Sequence, residues 1–151
     1  MRGTRSLASS LRLLRQCLLL GFLLTPVMAV GQSFEEMQRL AEQGYADAQY
    51  NLGVMYNVGR GVPEDDVEAV KWYRISARAG HPGSQNALGA MYEHGETVNV
   101  DMAKAYFWYT LAAGSGNAEA SHNRSRLKAE LDTDELRHIG DALEHWHQQR
   151  H

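Results

Sequence analysis

Apolar residues recur along the chain with the spacing of one helix face, and the same spacing occurs twice. Small or apolar side chains stand at i, i+4, i+7 and i+8 in two windows: Ala48, Leu52, Met55, Tyr56 and Ser84, Leu88, Met91, Tyr92. This period is typical of an amphipathic helix with one buried face. The pattern predicts a helix, called A, over about 46–58 and a copy of it over about 82–94.

A second helix, called B, is predicted after each A helix. Its stripe in the first copy is Ala69, Trp72, Tyr73 and Ala77. The predicted B helices cover about 66–79 and 101–113, and a glycine-rich turn at 59–63 precedes the first of them. Asp65 and Asp101 stand at the two starts, where a carboxylate stabilises the helix N-terminus.

The two A-B units are copies at a period of 36 residues. Identical pairs at this offset include Gly44/Gly80, Gln49/Gln85, Leu52/Leu88, Gly53/Gly89, Asp65/Asp101 and Trp72/Trp108. A period in this range is typical of solenoid arrays of stacked supersecondary units. We therefore expect an all-α fold, a short α-solenoid of antiparallel helix pairs (an alpha-alpha superhelix). Its repeats lie at about 44–79 and 80–115 within residues 32–116.

Gly53 and Gly89 stand inside the predicted A helices, where glycine costs about 1 kcal/mol relative to alanine. Their equivalent positions predict a close helix contact. We expect a neighbouring backbone or a tryptophan ring to lie directly against each glycine. The tryptophans of the B helices are expected to contact successive hairpins.

Flanking segments are predicted to close both ends of the array. Ser33 and Glu36 form an S-x-x-E capping box that opens a short helix ending at Gly44. Residues 117–151 read as a degenerate third repeat and a C-terminal helical cap, in which Arg124-Ser125 replaces the Leu-Gly pair. The third A helix is expected to be longer, ending near Leu131. The final helix is expected to open at 132–135, with one face formed by Leu136, Ile139, Leu143 and Trp146.

Residues 1–31 have the organisation of a secretory signal peptide. Four arginines precede an apolar core at 17–24, and small residues fit cleavage after Ala29 or Gly31. The core is shorter than the roughly 20 residues of a spanning helix, so a retained anchor is the less favoured alternative. We expect an exported protein, periplasmic or secreted. The single cysteine, Cys17, lies in this leader, so the rest of the chain has no thiol for a disulfide, a zinc site or a nucleophile.

Charge is distributed unevenly between the leader and the remainder. The whole chain has a net charge of −3. Without the four leader arginines, 11 basic and 18 acidic residues remain, a net charge of −7. This balance argues against nucleic acid, and against an anionic membrane surface after leader cleavage, as the main partner.

The repeat pattern resembles that of the Sel1-like repeat proteins, relatives of the tetratricopeptide arrays. The residues that carry the resemblance are Ala46, Ala48, Leu52, Gly53, Tyr56, Gly59, Gly61, Val62, Asp65, Ala69, Trp72, Tyr73, Ala77 and Gly80. The second copy departs from the pattern at Pro82 and at Glu96-Thr97. The resemblance implies a protein, commonly bacterial, that binds and organises other proteins or envelope components, and it implies no particular ligand or cofactor.

Few residues suggest chemistry. Asp65, Asp66 and Glu68 form an acidic cluster, but a helix N-terminus explains it. The histidines at 138, 145, 147 and 151 are best interpreted as a solvated polar tail, although His147 and His151 have the i, i+4 spacing of a shared metal. No phosphate-binding loop, HExxH or nucleophile-elbow motif occurs. We expect neither an enzyme nor a cofactor.

Binding is the better use of this predicted architecture. In tetratricopeptide-like arrays the A helices line the concave surface, so the resemblance makes their outer positions a hypothesis for the binding face. These residues form the A-helix strip: Asp47, Tyr50, Val54, Asn57, Asn86, Ala90, Glu93, Glu119, His122 and Arg126. The predicted function is an adaptor for a protein or peptide in the cell envelope. A cell-envelope hydrolase or cell-wall-ligand binding protein, and a structural spacer, are the alternatives.

Overall fold

The computed structural model describes residues 25–95 and 97–150, with side chains from residue 34 onward. Across those residues the regular elements are seven helices and no strand. Their bounds are α1 Thr25–Glu42, α2 Ala46–Asn57, α3 Asp66–Arg78, α4 Pro82–His94, α5 Met102–Gly114, α6 Ala118–Leu127 and α7 Thr133–Gln148. Each helix from α1 to α5 packs on the next one along the chain. The all-α solenoid of antiparallel helix pairs is therefore confirmed, with α2–α3 and α4–α5 as the hairpins.

The hairpin helices begin and end within one residue of the predicted bounds, because their caps are encoded locally. Asp65 is the N-cap of α3, and its carboxylate accepts the N–H groups of Val67 and Glu68, each at 3.0 Å. Asp101 caps α5 by accepting the N–H of Lys104 at 2.9 Å. Both carboxylates satisfy donors that the first helical turn leaves free.

The predicted stripes form the core between consecutive helices. Leu52, Leu88, Ala69 and Ala105 are fully buried. Trp72 packs on a cluster contributed by α1 and α2, and Trp108 packs on one contributed by α3 and α4. Each tryptophan thus contacts the preceding structural unit, as predicted, although both remain half-buried.

The predicted close contacts at the interior glycines exist, but their partner is tyrosine rather than tryptophan. A Cβ at Gly53 would lie 2.7 Å from the ring of Tyr73, and one at Gly89 would lie 2.6 Å from the ring of Tyr109. Both tyrosines are buried. The tryptophan beside each tyrosine packs on a cluster shared with the preceding unit, so the tyrosine is the ring that lies against the glycine of its own A helix.

Two buried glutamines join successive units, a role that the sequence analysis missed. The Gln49 side chain donates to the carbonyl of Ala41 at 3.1 Å, and Gln85 donates to the carbonyl of Ala77 at 3.2 Å. Each bond links an A helix to the last turns of the helix before it. The signal that could have predicted this role is the recurrence of a glutamine after 36 residues, next to the buried stripe of each A helix.

The first helix begins earlier than predicted. It starts at Thr25 instead of at Ser33, so Ser33 lies inside the helix and the predicted capping box does not open it. A capping box needs a non-helical N-cap residue, and the preceding residues 25–32 are themselves helical. Residues 1–24 of the predicted signal peptide lie outside the described residues. Within 25–95 and 97–150, none of the helices combines the length and apolar composition needed to cross a bilayer.

The C-terminal region departs from the repeat at the third hairpin. Helix α6 ends at Leu127, so the prediction of a longer helix reaching Leu131 was wrong. Asp132 caps α7 in a complete capping box with Glu135, as the opening at 132–135 predicted. Instead of packing on α6 as a B helix would, α7 packs on α5. Ile139 is buried, and the Trp146 ring lies 5.4 Å from that of Trp108.

Two substitutions explain why the third hairpin does not close. Ser125 stands 36 residues after Gly89, so the position at which glycine leaves room for a tyrosine ring in the first two hairpins carries a side chain here. Counted from the N-cap, Gly140 of α7 occupies the position of Tyr73 and Tyr109. Both halves of the glycine-tyrosine contact are therefore missing, which leaves α7 to pack elsewhere.

Candidate functional site

The A-helix strip lies on α2, α4 and α6, and its residues occupy equivalent positions at 36-residue spacing. Tyr50, Asn86 and His122 form one row, and Val54, Ala90 and Arg126 form another. The expectation that the strip lies opposite the core was wrong for Tyr50 and Val54. Tyr50 and Val54 are half-buried and pack against the core cluster of α3 and α4. A helices contact both their own B helix and the next unit, so only part of the strip faces solvent.

Tyr50 is fixed in place by two rings. Its ring stacks on His81 with centroids 4.6 Å apart, and lies 5.9 Å from the ring of Tyr73. Gly83 makes room for this arrangement, since a Cβ there would lie 2.9 Å from His81 and 3.2 Å from Tyr50. His81 was missed as a strip residue. The signal was its place immediately before Pro82, where the chain enters α4.

His81 is the N-cap of α4 and holds a defined tautomer. Its Nδ1 accepts the N–H of Ser84 at 3.1 Å, which requires that this nitrogen be unprotonated. Its Nε2 lies 3.5 Å from a carboxylate oxygen of Asp47. Burial lowers the pKa of His81, and the Asp47 charge raises it by less. The fold therefore favours the neutral imidazole.

Asp47, His81 and Ser84 lie in the order of a nucleophilic triad, but the serine cannot serve as the nucleophile. The Oγ of Ser84 lies 3.3 Å from His81 Nδ1, yet Ser84 is completely buried. Its hydroxyl donates to Ser76 Oγ at 2.7 Å, and Ser76 donates to the carbonyl of Ala46 at 2.7 Å. The chain of hydrogen bonds joins α2, α3 and α4, which is a structural role.

The middle of the strip is occupied by an internal polar network. The side chain of Glu93 is 9% exposed, accepts from the Tyr109 hydroxyl at 2.9 Å and pairs with Arg126. The pKa of Tyr109 is raised, mainly by burial and secondly by the hydrogen bond to Glu93. Arg126 also lies 3.6 Å from Glu130. Glu93 and Arg126 are thus committed to each other, and their charges offset one another.

The remaining strip residues differ in how much they offer to a partner. Asn57 donates to Asp66 at 2.8 Å, and the Oδ1 of Asn86 is buried without a hydrogen-bond partner among the described residues. By contrast, Glu119 and His122 are exposed, and the Asp47 side chain is 91% exposed. Ala90, on α4, is half-buried. The charges that remain available to a partner along the strip are therefore the carboxylates of Asp47 and Glu119.

A cavity adjoins the first end of the strip. It has a volume of about 350 Å³ between α1 and α2, and its lining is mostly apolar. The lining residues are Met37, Leu40, Tyr45, Ala46, Asp47, Ala48 and Asn51. Tyr45 is 59% exposed there and was not predicted as a surface residue of interest. An apolar side chain beside Asp47 is what this end of the strip can accommodate.

The histidine cluster forms no metal site within 25–95 and 97–150, where no three His, Cys, Asp or Glu side chains gather as ligands. His145 Nε2 instead lies 2.6 Å from the side-chain nitrogen of Gln149. His151, the other half of the predicted i, i+4 pair, lies outside the described residues.

Comparison with known proteins identifies the repeat unit. The family model described as Sel1 repeat matches residues 46–81 and 82–117. None of the curated proteins matches the chain at a significant level.

Among the solved structures that match the chain, two illustrate the shared fold. One is a protective antigen present in uropathogenic Escherichia coli strains that displays an SLR fold. It is 27% identical with a TM-score of 0.72, over 77% of this chain and 25% of that one. The chain thus spans about a quarter of the antigen's length. The other is a Sel1 repeat protein from Oxalobacter formigenes, 26% identical with a TM-score of 0.60, over 73% of this chain and 98% of that one.

Proposed function

The chain belongs to the Sel1 repeat proteins, and from that premise we propose that it is an exported adaptor that binds a protein or peptide through the A-helix strip. The observation that supports this is the alignment of Tyr50, Asn86 and His122 on three successive A helices, α2, α4 and α6. Such repetition makes one continuous surface out of separate hairpins. Rigid aromatic and amide side chains suit recognition of a polypeptide.

The strip favours a partner segment with basic groups. Glu93 and Arg126 neutralise each other, which leaves Asp47 and Glu119 as exposed carboxylates towards the two ends. These residues stand two repeats apart, 72 positions in the sequence. A segment that spans the strip would therefore meet negative charge at both ends and an amide and aromatic surface between them.

Site-specific photo-crosslinking tests this assignment without disturbing the packed residues. A photoreactive amino acid would replace Asp47 or Glu119 in turn, with Glu144 on α7 as the matched exposed control. We expect both strip positions to capture the same partner in an envelope fraction and the control to capture none. Equal capture from Glu144, or capture from neither strip position, would overturn the binding face.

Export is supported by the leader sequence. Cleavage after Ala29 or Gly31 would leave Ser33 and Glu36 near the new N-terminus, where the capping box could form. A fusion of the chain to alkaline phosphatase, which is active only outside the cytoplasm, tests this directly. We expect activity and a processed N-terminus after residue 29 or 31. An inactive fusion would place the protein in the cytoplasm.

We also propose that the protein is not an enzyme. The alternative of a cell-envelope hydrolase gains no support from the Asp47, His81 and Ser84 arrangement, because the serine hydroxyl is buried and bonded to Ser76. Incubation of the purified chain with cell-wall fragments distinguishes a hydrolase from a protein that only binds a cell-wall ligand. Turnover would favour the hydrolase, whereas retention without turnover would favour a cell-wall-ligand binding protein.

A further inference from the structure

Three helices of the array end in the same way. Left-handed glycines follow α1, α3 and α5 at 36-residue spacing: Gly44 at φ 93°, Gly80 at φ 97° and Gly116 at φ 88°. Before each glycine stand two residues whose carbonyls belong to the end of the helix: Glu42 and Gln43, Arg78 and Ala79, Gly114 and Ser115. The C-terminus of a helix carries partial negative charge and free carbonyl acceptors.

One of these ends holds a guanidinium group from the same chain. Arg150 donates to the carbonyl of Arg78 at 2.6 Å and to that of Ala79 at 3.2 Å, across more than seventy residues of sequence. Its guanidinium carbon lies 5.7 Å from the centre of the Trp146 ring. A Cβ at Gly80 would lie 2.8 Å from the guanidinium, so glycine is what allows this approach.

The equivalent ends of α1 and α5 are open. Among the residues that the structure describes, a Cβ at Gly44 or Gly116 would meet no atom within 4 Å, and the carbonyls of residues 42, 43, 114 and 115 accept none of the backbone hydrogen bonds around these turns. Where α3 carries the cation of Arg78, α1 carries the exposed carboxylate of Glu42, and α5 carries Gly114. Glu42 accepts a hydrogen bond from the neutral Gln38, and within the described part of the chain it forms no ion pair.

We propose that the C-terminal end of α1 is a binding site for an arginine side chain of the protein partner. Its guanidinium would donate to the carbonyls of Glu42 and Gln43 above Gly44, as that of Arg150 does at the end of α3, and the Glu42 carboxylate would add charge attraction. The inference rests on the proposed function only in taking the partner to be a protein. The chemistry agrees with the acidic ends of the A-helix strip.

Nuclear magnetic resonance on the isotope-labelled chain tests the site with defined probes. Acetyl-arginine methylamide is the ligand, and acetyl-citrulline methylamide is its uncharged isostere. We expect the arginine probe to give saturable shifts in the carbonyl signals of Glu42 and Gln43 and in the amide signal of Gly44. The citrulline probe should give none. Equal responses to both probes, or no response, would overturn the proposal.

Two variants sharpen the test. Glu42→Arg should weaken the response roughly two- to fivefold, the size of a charge effect at an exposed helix end. Glu35→Arg, the same charge change on the exposed surface of α1, should leave it unchanged. Equal effects of both would mean general electrostatic attraction and would overturn the site.

Arg150→Gln supplies an internal reference. It empties the end of α3, so new shifts at Ala79 and Gly80 should appear with the arginine probe. A response there without one at Gly44 would overturn the α1 site while leaving the proposed adaptor function intact. Crosslinking from Asp47 and Glu119 reports on that function separately.

Discussion

The ring of Tyr73 occupies the place where Gly53 has no side chain. Two ring carbons lie 2.7 Å from the position a Cβ would take, and Tyr109 repeats the relationship at Gly89. The glycine costs helix stability, yet it lets a large buried ring lie against the helix of its own hairpin. This contact defines a closed hairpin in the array.

Replacing Gly53 with alanine should therefore destabilise the protein. The added methyl group must displace the Tyr73 ring, and overpacking of this kind costs about 1–3 kcal/mol. Gly140→Ala is the matched control, since a Cβ there would meet nothing within 4 Å in the part of the chain that the structure describes. It should stabilise α7 by up to about 1 kcal/mol. Urea denaturation of both variants measures the change in the free energy of unfolding, which should be a loss for Gly53→Ala and a gain for Gly140→Ala. An unchanged free energy of unfolding in Gly53→Ala would contradict the contact.

Stability should fall in mild acid because of His81. Burial lowers its pKa from the ordinary 6.5, so the fold prefers the neutral ring that accepts the Ser84 N–H. The stabilisation is present above pH 6.5 and is lost as the pH falls through the lowered pKa. The His81→Asn variant keeps a capping side chain, as Asn117 shows at the equivalent position of α6.

The unfolding midpoints at pH 7.5 and pH 5 provide the measurement. We expect the drop between these two pH values to be smaller in His81→Asn than in the parent chain. His122→Asn, on the exposed part of the strip, should behave like the parent. An unchanged drop in His81→Asn would assign the acid sensitivity to other groups.

Two tyrosines should resist ionisation in alkali. Burial raises the pKa of Tyr73 to about 12, and burial together with Glu93 raises that of Tyr109. Because the fold favours the protonated phenols, their contribution to stability is present below pH 10 and is lost as the pH rises towards 12. Phenolate absorbance of the folded chain should therefore be unchanged by Tyr73→Phe up to about pH 11.

Tyr45→Phe is the control for this titration, since its phenol is 59% exposed. This variant shows whether the assay detects the loss of one exposed phenol from the chain. A smaller gain in Tyr73→Phe before unfolding would show that the Tyr73 ring is accessible to base.

Trp146→Ala should release α7 while the hairpins stay folded. The Trp146 ring lies against Phe107 and Trp108, with centroids 5.8 Å and 5.4 Å apart, and under the Arg150 guanidinium. A half-buried aromatic contributes roughly 1–2 kcal/mol, so amide exchange in α7 should accelerate by about five- to thirtyfold. Hydrogen exchange in α2 to α4 should not change. Glu144→Ala is the control, because Glu144 lies two positions before Trp146 and is exposed. It should leave the amide exchange of α7 unchanged.

The repeat could be predicted closely because its signals are local. Apolar spacing located the hairpin helices, and Asp65 and Asp101 stand where the caps were expected. The partner of Gly53 could not be chosen, because Trp72 and Tyr73 are adjacent and a rotation of about 100° decides which one faces the glycine. The packing of α7 depends on contacts distant in sequence, and Arg150 with Arg78 is the extreme case.

The candidate site was harder to predict than the fold. The positions of the strip followed from the period, but its exposure did not, since Glu93 is nearly enclosed by Tyr109 and Arg126. The role of His81 needed knowledge of its stacking on Tyr50. Sequence periodicity places side chains on a helix face, whereas the packing of neighbouring units decides which remain free for a partner.

Ser125 has a consequence for the length of the stack. Where the first two hairpins have glycine, this residue presents a hydroxymethyl group, and its neighbour Arg124 replaces a buried leucine. If a B helix packed on α6, the Ser125 side chain would obstruct its aromatic ring. The same packing would have to bury the guanidinium of Arg124. The chain therefore terminates its own repetition at this point, and a lengthened version of the protein would first have to restore Leu-Gly here.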